Sequence, residues 1–301
     1  MIRIGLVDLD TSHPGAFTPI LNELEDVRVT ALWDGHDVYP PGYDQQFAQE
    51  HGIERVCGSL GELVGRVDAA MVHGVDWDKH IEKAIPFLEA RKPILIDKPI
   101  VGRVRDINRL LELQAKYKAP IFGGSSLRFA DEVRELNRMK VDFGEIYLAT
   151  ASGPGDIFSY GIHTTEMAQG VLGCGVETVE FLGEGKAELY KVTYRNGFIL
   201  LLQLLAPYHE WSLSLYTGTG LHVRRIDSTK IYPPFLAQFV RVIRGEPVAF
   251  SLSDVFEAVK IHIAAQKSKL CRRIVRLDEL LPEDGFEGAA YAVSYAAAKR
   301  K

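Results

Sequence analysis

Short apolar runs alternate with amphipathic segments through roughly the first 120 residues of the chain. A run of four to six apolar residues is typical of a strand that is buried on both faces of a parallel sheet. The runs that predict strands are residues 2–7, 27–32, 69–72, 93–96 and 120–122, and the segments that predict helices are 15–24, 43–51, 78–91 and 104–117. In the third of these helices, Ile81, Ala84, Ile85 and Leu88 recur at helical spacing. Strands that alternate with helices predict a doubly wound parallel sheet of the Rossmann type.

The pattern changes after Gly123-Gly124, where longer apolar runs follow one another with short turns between them. Asn196-Gly197 separates two such runs and predicts a type I′ hairpin, and Gly218-Thr219-Gly220 predicts a second hairpin. Helices are expected at about 159–172, 234–244 and 253–270, with Ser253 as the N-cap of the last. We therefore expect a Rossmann-type nucleotide-binding domain over 1–123. An α+β domain with an open and mostly antiparallel sheet is expected over 124–301.

Composition narrows the class of protein without naming a function. The 301 residues are 47% hydrophobic and 25% charged, as in an ordinary globular protein, and two domains suit that length. A net charge of −5 argues against nucleic acid or an anionic membrane as a partner. There is no apolar run of about 20 residues, and the start MIRIGLVDLD lacks the basic and apolar regions of a signal peptide. Three widely spaced cysteines, Cys57, Cys174 and Cys271, favour a reducing compartment, so we expect a cytoplasmic protein.

The turn after the first strand is the place where a Rossmann-type fold holds a pyrophosphate. Against the pattern G-x-G-x-x-G, the three glycine positions hold Asp8, Asp10 and His13. Two carboxylates would repel a pyrophosphate unless they point away from it or carry a cation. One interpretation is that Asp10, Thr11 or Ser12 only caps the next helix, and another is that Thr11, Ser12 and His13 still offer donors to a ligand. A metal site of Asp8, Asp10 and His13 is a third interpretation, but one short turn cannot complete a coordination shell, so no metal is predicted.

An acid at the end of the second predicted strand supports a nucleotide. Asp34 lies about 20 residues beyond the turn, where an acid binds the ribose hydroxyls of NAD rather than the 2′-phosphate of NADP. NAD is therefore favoured over NADP. Acids at strand ends also serve as ordinary loop residues, so this signal is weak by itself.

A lysine and a histidine provide the candidate acid–base chemistry. Lys98 precedes Pro99, which predicts an extended turn at the carboxyl edge of the sheet, where ligands bind in open α/β folds. There it can stabilise a developing alkoxide, although a solvated surface lysine is the commoner case. His163 and Glu166 share one face of a predicted helix, and histidine is the usual general acid or base near neutral pH. A lone helix histidine is more often structural.

In their order and spacing, these motifs resemble the Gfo/Idh/MocA family of nicotinamide-dependent sugar and cyclitol dehydrogenases. Asp97-Lys98-Pro99 is similar to the family's E-K-P, and Arg128-Phe129 to the R-F that begins its second domain. Ser159 to Glu166 is similar to the D-x-G-x-H-x-x-D motif, with Ser and Glu at its two ends. His80 stands where the family has the histidine of T-P-x-x-x-H, although Val75 and Asp76 replace Thr and Pro. Residues 235–277 are similar to the C-terminal helices of the family.

The resemblance implies a role for each of these side chains. Lys98 and His163 are the implied catalytic pair, in which His163 takes the hydroxyl proton while Lys98 orients the hydroxyl. Glu166 is implied to orient His163 or to bind a substrate hydroxyl. The implied substrate-binding residues are Tyr160, Glu166 and Arg128, and the implied cofactor-binding residues are Thr11, Ser12, His13, Asp34, His80 and Lys98.

The family also implies NAD or NADP as cofactor, a polyol or sugar substrate, and a homo-dimer or homo-tetramer formed through the C-terminal sheet. Hydride transfer from a sugar-like or cyclitol alcohol is the leading hypothesis. A non-redox lyase or epimerase of the same fold is an alternative, favoured by the acids at the pyrophosphate turn. A ligand-binding protein that has lost the cofactor is the third hypothesis.

Overall fold

The computed structural model describes residues 1–206, 210–248 and 250–299, which fold into two compact units. Unit 1 comprises Met1–Gly124, Leu236–Ala249 and Glu287–Lys301, and unit 2 comprises Ser125–Phe235 and Phe250–Phe286. The expected division at residue 123 differs from this arrangement, because two later segments of the chain pack with the first unit. One of them contains the last helix, where Tyr291 lies 5.1 Å from Trp77 between ring centroids.

Unit 1 contains a six-stranded parallel sheet among the described residues, in the order β3-β2-β1-β4-β5-β6. The Rossmann-type doubly wound sheet predicted from the apolar runs is confirmed. Its strands are β1 (Ile2–Val7), β2 (Val27–Trp33), β3 (Arg55–Val56), β4 (Ala69–Val72), β5 (Ile94–Ile96) and β6 (Ile121–Gly123).

The helices of unit 1 alternate with these strands and bury one apolar face each. On α5, for example, Ile107, Leu110 and Leu113 are buried at helical spacing, which is the reason this stretch is an amphipathic helix. The helices of the first 124 residues are α1 (His13–Asn22), α2 (Tyr43–His51), α3 (Leu60–Arg66), α4 (His80–Glu89) and α5 (Val104–Tyr117).

The sequence pattern located α2 and α5 to the residue, but it missed β3 and α3. A two-residue strand carries no periodic signal, and α3 has a single buried side chain, Leu63. Helix α1 begins at His13 rather than at Gly15, because Pro14 occupies its first turn, where a missing N–H costs nothing.

Unit 2 is built on a seven-stranded sheet among the described residues, in the order β12-β11-β7-β10-β9-β8-β13. Strands β7 and β10 are parallel and the other neighbouring pairs are antiparallel, so the expected open, mostly antiparallel sheet is confirmed. The strands are β7 (Ile146–Pro154), β8 (Val176–Glu184), β9 (Ala187–Tyr194), β10 (Ile199–Leu205), β11 (Ser212–Thr217), β12 (Gly220–Arg225) and β13 (Val275–Arg276).

Both predicted hairpins form, but the first turn is not of type I′. Gly197 has a φ of 83°, whereas Asn196 does not have a positive φ, and type I′ requires both. The Gly197 N–H donates to the Tyr194 carbonyl (2.9 Å) and the Tyr194 N–H donates to the Phe198 carbonyl (2.8 Å). The loop is therefore a tight turn closed by a left-handed glycine, another common way to join two antiparallel strands.

The remaining helices include one that is buried almost throughout. All but two of the twelve residues of α7 are buried, so this helix forms the interior of unit 2 and carries His163 and Glu166. The predicted N-cap of α9 was wrong: Ser251, not Ser253, caps it, because Ser251 and Asp254 form a reciprocal capping box. These helices are α6 (Asp131–Met139), α7 (Gly161–Leu172), α8 (Tyr232–Ile243), α9 (Leu252–Cys271) and α10 (Gly288–Lys299).

Candidate functional site

The first acid of the turn after β1 is neutralised by a buried lysine. Asp8 is fully buried, and its φ of 65° is the left-handed conformation that usually requires glycine. Its carboxylate accepts a hydrogen bond from Lys83 Nζ (2.6 Å) and another from the Gly35 N–H (3.1 Å). Burial lowers the pKa of Lys83, but Asp8 and then Asp37 raise it by more, so the lysine stays charged. The negative charge of Asp8 is thus balanced within unit 1.

The second acid is held by a backbone amide and favours its neutral form. Asp10 Oδ2 accepts a hydrogen bond from the Val75 N–H (2.9 Å), which ties this turn to the loop after β4. Burial, and then the neighbouring charge of Asp8, raise the pKa of Asp10 to about 7. Near neutral pH a substantial fraction of this carboxyl is protonated, so the turn carries less negative charge than its sequence suggests.

Thr11, Ser12 and His13 form the start of α1. Ser12 is the N-cap residue, but its side chain makes no capping hydrogen bond, while Thr11 Oγ1 accepts from the His13 N–H (3.3 Å). Ser12 is exposed and the other two are partly buried, and no acidic residue lies in the first turn of the helix. This is the positive end of a helix dipole, which suits an anion.

Asp34 is buried where the predicted contact with a ribose requires an accessible carboxylate. Its side chain is 1% exposed, and Oδ1 accepts from the N–H groups of Leu9 and His36, both at 3.3 Å. Oδ2 lies 3.3 Å from His36 Nδ1. Burial, and then the charge of Asp8, raise the pKa of Asp34. The carboxylate therefore fixes its own loop in this arrangement, and a ribose contact requires the loop to open.

The predicted lysine follows directly after an acid that organises the end of β5. Asp97 Oδ1 accepts from the Lys98 N–H (2.7 Å), and the Lys98–Pro99 peptide bond is cis. Asp97 Oδ2 faces His13 Nδ1 at 2.6 Å and His73 Nδ1 at 2.9 Å. Burial raises the pKa of Asp97, but the two histidines lower it by more, to well below the usual range. Lys98 thus lies at the carboxyl edge of the sheet, next to a buried and ionised carboxylate.

His80 has a structural position in this arrangement. Its Nε2 lies 2.7 Å from the Gly74 carbonyl oxygen and its Nδ1 lies 3.1 Å from the Ile100 carbonyl oxygen. The side chain is buried, so it joins the loops that follow β4 and β5. A cofactor-binding role for His80 would have to act through these two loops rather than through a free ring nitrogen.

In unit 2, the ring of His163 contacts a serine that no sequence motif indicated. His163 Nδ1 lies 2.6 Å from Ser125 Oγ, which also accepts from the Leu127 N–H (3.1 Å). The ring packs edge-to-face on Trp211 at 5.9 Å and on Tyr160 at 6.0 Å. The ring is therefore fixed at Nδ1, which is the arrangement needed for a histidine that acts through Nε2.

Glu166 is paired with an arginine of the same unit, and its implied roles, orienting His163 or binding a substrate hydroxyl, stay predictions. Glu166 Oε2 accepts from Arg128 Nε (3.1 Å), and Arg128 Nη2 donates to Gln169 (3.1 Å). Glu166 and Arg128 are both buried, so the two predicted substrate-binding residues are partners of each other here. Burial raises the pKa of Glu166 even beside the arginine. Tyr160 is 45% exposed and remains accessible.

The first position of the histidine motif is serine, but a carboxylate lies beside it. Asp156 accepts hydrogen bonds from the Phe158 N–H (2.8 Å), the Ser159 N–H (2.6 Å) and the Ser159 hydroxyl. The acid that the motif lacks at position 159 is thus present three residues earlier, where it shapes the turn before α7. The spacing of the motif did not indicate that Asp156 would take this position.

The predicted residues fall into two groups, one in each unit. Thr11, Ser12, His13, Asp34, His80 and Lys98 lie in unit 1, and Arg128, Tyr160, His163 and Glu166 lie in unit 2. The pairing of Lys98 with His163 stays a prediction.

Sequence reasoning missed three residues that shape these groups, namely Lys83, His73 and Ser125. Lys83 lies among the polar positions of a predicted helix and Ser125 follows two glycines, and neither belongs to a motif. His73 directly follows a buried strand, and that position was the signal that could have identified it.

Comparisons with known proteins agree with this architecture. Residues 9–124 match the model of the Gfo/Idh/MocA oxidoreductase family, described as an NAD-binding Rossmann fold. The protein YceM of Salmonella typhimurium, which carries an oxidoreductase name, is 31% identical over 137 residues. That alignment covers 45% of this chain and 42% of YceM, so the chain matches less than half of this relative's length.

Solved structures extend the likeness over nearly the whole chain. Scyllo-inositol dehydrogenase of Lactobacillus casei, solved with NAD(H) and scyllo-inositol, has a TM-score of 0.81 at 16% identity, over 93% of this chain and 100% of that one. Myo-inositol 2-dehydrogenase of Lactobacillus plantarum has a TM-score of 0.78 at 15% identity, over 91% and 99%. At these identities the likeness establishes the fold. In the described residues no helix is both long and apolar enough to cross a membrane.

Proposed function

Because its first domain belongs to the Gfo/Idh/MocA oxidoreductase family, we propose that this protein is an NAD(P)-dependent oxidoreductase of a sugar-like or cyclitol alcohol. The observation that carries the proposal is the neutralised turn after β1. Lys83 balances Asp8, and the raised pKa of Asp10 leaves part of that carboxyl protonated near neutral pH, so the electrostatic repulsion of a pyrophosphate at this turn is reduced. Two of the solved relatives are named as inositol dehydrogenases, which supports a cyclitol as substrate.

The residues of unit 1 fit a dinucleotide at its phosphates better than at its adenosine ribose. The start of α1 supplies backbone donors, together with the hydroxyls of Thr11 and Ser12, for a pyrophosphate. At the ribose, Asp34 favours NAD over NADP because an acid repels a 2′-phosphate. Its carboxylate becomes available only if the loop at residues 34–36 opens.

A bound nicotinamide cofactor would supply the hydride acceptor for the carbinol carbon of the substrate. In this proposal, His163 removes the hydroxyl proton at Nε2 while Ser125 holds Nδ1 and fixes the ring. Lys98 orients the hydroxyl and stabilises the negative charge that develops on its oxygen. Tyr160, which is accessible, supplies a polar contact to the substrate, and the Arg128–Glu166 pair supports α7 from within.

The proposed assembly is a homo-dimer or homo-tetramer formed through the sheet of unit 2. At one edge of this sheet, three large apolar side chains are exposed on one face, namely Tyr216 of β11 and Leu221 and Val223 of β12. Exposed apolar patches of this kind are typical of protein interfaces.

The test is a titration of the full chain with NADH and with NADPH, followed by nicotinamide fluorescence, and then a panel of polyols. We expect saturable binding and, in His163→Ala, a loss of turnover of about 100-fold or more with NADH binding retained. The control variant Lys116→Ala alters an exposed lysine of α5 and should leave both unchanged. Absence of binding at millimolar NADH and NADPH, in protein from which no bound nucleotide is released on denaturation, would contradict the proposal.

A second candidate is a non-redox enzyme of the same fold that uses Lys98 and His163 as base and acid. The buried and internally bonded carboxylate of Asp34 favours it, because the usual ribose ligand is not accessible. Such an enzyme would exchange a substrate C–H proton for deuterium in heavy water without added cofactor. NMR detection of this exchange, together with absent NADH binding, would replace the first proposal by this one.

A further inference from the structure

Three potential metal ligands converge at the carboxyl ends of three neighbouring strands. His13 begins α1 after the turn that follows β1, His73 directly follows β4, and Asp97 directly follows β5. The strand order places β1, β4 and β5 side by side, and parallel strands present their carboxyl ends at one edge of a sheet. One ligand atom from each residue lies within 4.8 Å of the others.

We propose that His13, His73 and Asp97 form a binding site for one divalent first-row transition-metal ion, with Zn²⁺ as the best match. Two imidazoles and one carboxylate are a donor set that zinc accepts, whereas Mg²⁺ and Ca²⁺ prefer oxygen ligands throughout. Three protein ligands leave one position of a tetrahedral ion open, as in catalytic zinc sites. A water, or a hydroxyl or carboxylate oxygen of a small-molecule substrate, would fill that position.

The contacts within the cluster bring the three ligand atoms together at hydrogen-bonding distances. Both Nδ1 atoms face the same oxygen of Asp97, at 2.6 Å for His13 and 2.9 Å for His73. His73 is fully buried, and its Nε2 has no hydrogen-bond partner among the described residues. The interactions at Nδ1 must therefore compensate for most of the cost of burying this ring.

Residues around the cluster orient the ligands as an outer shell does in metal sites. The Lys98 N–H holds Asp97 Oδ1, which leaves Oδ2 for the ion. The His13 ring stacks on Phe17 with centroids 4.8 Å apart and planes 8° apart, so its orientation is fixed. The side chain of His13 is 12% exposed while those of His73 and Asp97 are nearly or fully buried, which leaves one side open to a ligand.

A metal site also accounts for one departure from the family's motifs. His13 stands where the fingerprint has its third glycine, and a glycine side chain cannot ligate a metal, whereas histidine can. The site proposed here differs from the Asp8, Asp10 and His13 set considered from the sequence, because the two acids of that set have other partners. Asp8 is bound to Lys83 and Asp10 to Val75. The inference stands on unit 1 alone and does not depend on the redox proposal.

The experiment is a titration of the full chain, freed of metal by dialysis against a chelator, with Zn²⁺ by calorimetry and with Co²⁺ by visible absorption. We expect one ion per chain and a tetrahedral Co²⁺ spectrum. In His73→Ala and Asp97→Asn the affinity should fall by at least about 10- to 100-fold. His36→Ala is the matched control, because this histidine also lies beside carboxylates, Asp34 and Asp44, and should bind as the unaltered chain does.

A third ligand variant guards against a folding defect. His13→Asn changes the most exposed ligand, and Zn²⁺ should raise the Tm of the unaltered chain but not of this variant. Binding that persists in all three variants would assign the ion to exposed thiols such as Cys174 and Cys271 and would overturn the proposal. Absence of Zn²⁺ and Co²⁺ binding by the unaltered chain would identify the cluster as a hydrogen-bonded triad instead. NADH binding is measured on the same samples, so failure of either proposal is seen separately.

Discussion

The charge state of each acid after β1 and β2 depends on the hydrogen-bond donors and charged groups that contact its carboxylate. Asp8 has a buried ammonium group, Asp34 has two backbone N–H groups, and Asp10 has one backbone N–H and a neighbouring negative charge. A buried charge is tolerated only when it is paired, and otherwise the group takes up a proton. The balance of charge at this turn is therefore decided residue by residue.

Asp10 should make the stability of unit 1 depend on pH. Its pKa is about 7 in the folded protein and 3.8 in the reference state, so the unfolded chain releases this proton first. The folded state therefore loses stability as pH rises from about 4 to about 7, and the loss is complete above that. The variant Asp10→Asn retains an acceptor for the Val75 N–H but does not titrate. Relative to the unaltered chain, its free energy of unfolding should be higher, and this stabilisation should be about 2 kcal/mol larger at pH 8 than at pH 5.

Urea unfolding of both proteins at the two pH values measures this difference. Asp131→Asn, on an exposed side chain of α6, is the control and should show the same small effect at both pH values. An Asp10→Asn effect that is equal at pH 5 and pH 8 would show that Asp10 is ionised in the folded protein throughout.

Local hydrogen bonds and backbone restrictions determine the residue at which a helix or strand begins and ends. The start of α9 was expected at Ser253, yet Ser251 accepts from the Asp254 N–H and Asp254 accepts in return from the Ser251 N–H. A sequence with two serines in three residues does not distinguish between them. The reciprocal contact with Asp254 does, because it satisfies two backbone donors at once.

This distinction predicts different costs for two similar substitutions. Ser251→Ala should lower the free energy of unfolding by about 1 kcal/mol, because a side-chain acceptor for the first turn of α9 is lost. Ser253→Ala, at an exposed position inside the first turn, should cost nothing or stabilise slightly, since alanine is the better helix former. Chemical denaturation of the two variants is the measurement. An equal loss in both would mean that the capping box does not contribute.

At the scale of the whole molecule, unit 1 is made of three separate parts of the chain. Helix α10, near the end of the sequence, is joined to the loop after β4, where the Gly288 N–H donates to Asp78 (2.9 Å). Val38, Val75 and Ala296 form a small apolar cluster there. A contact between residues 210 positions apart depends on the tertiary fold, so the local pattern of apolar and polar residues does not indicate it.

A substitution at Gly288 measures how much this long-range contact contributes to the stability of unit 1. A Cβ at this position would lie 2.8 Å from the backbone nitrogens of Trp77 and Asp78, and backbone atoms cannot yield as a flexible side chain does. Gly288→Ala should therefore lower the free energy of unfolding by about 1–3 kcal/mol. Gly65→Ala, in α3 with open space around it, is the matched control and should be neutral or stabilising. Thermal unfolding followed by circular dichroism compares the two, and equal Tm values would show that α10 is not held at this glycine.

Much of this protein follows from sequence alone. Apolar runs bounded by turns located five of the six described strands of unit 1 and the two hairpins of unit 2. Burial on both faces and the alternation of side chains between faces follow directly from strand geometry, so both leave a pattern in the sequence. Motif order indicated a resemblance to the Gfo/Idh/MocA family, whose model matches residues 9–124, and position after a strand located Lys98 at the edge of the sheet.

Only the tertiary structure decided what each polar side chain does there. Lys83 reaches Asp8 from a helix 75 residues away, Glu166 pairs with Arg128, and Asp97 contacts both His13 and His73. Hydrogen bonds and ion pairs act over about 3 Å and between residues far apart in sequence, so periodicity and motif spacing cannot specify them. The sequence determined where the chemistry lies in the fold, and tertiary packing decided which groups meet.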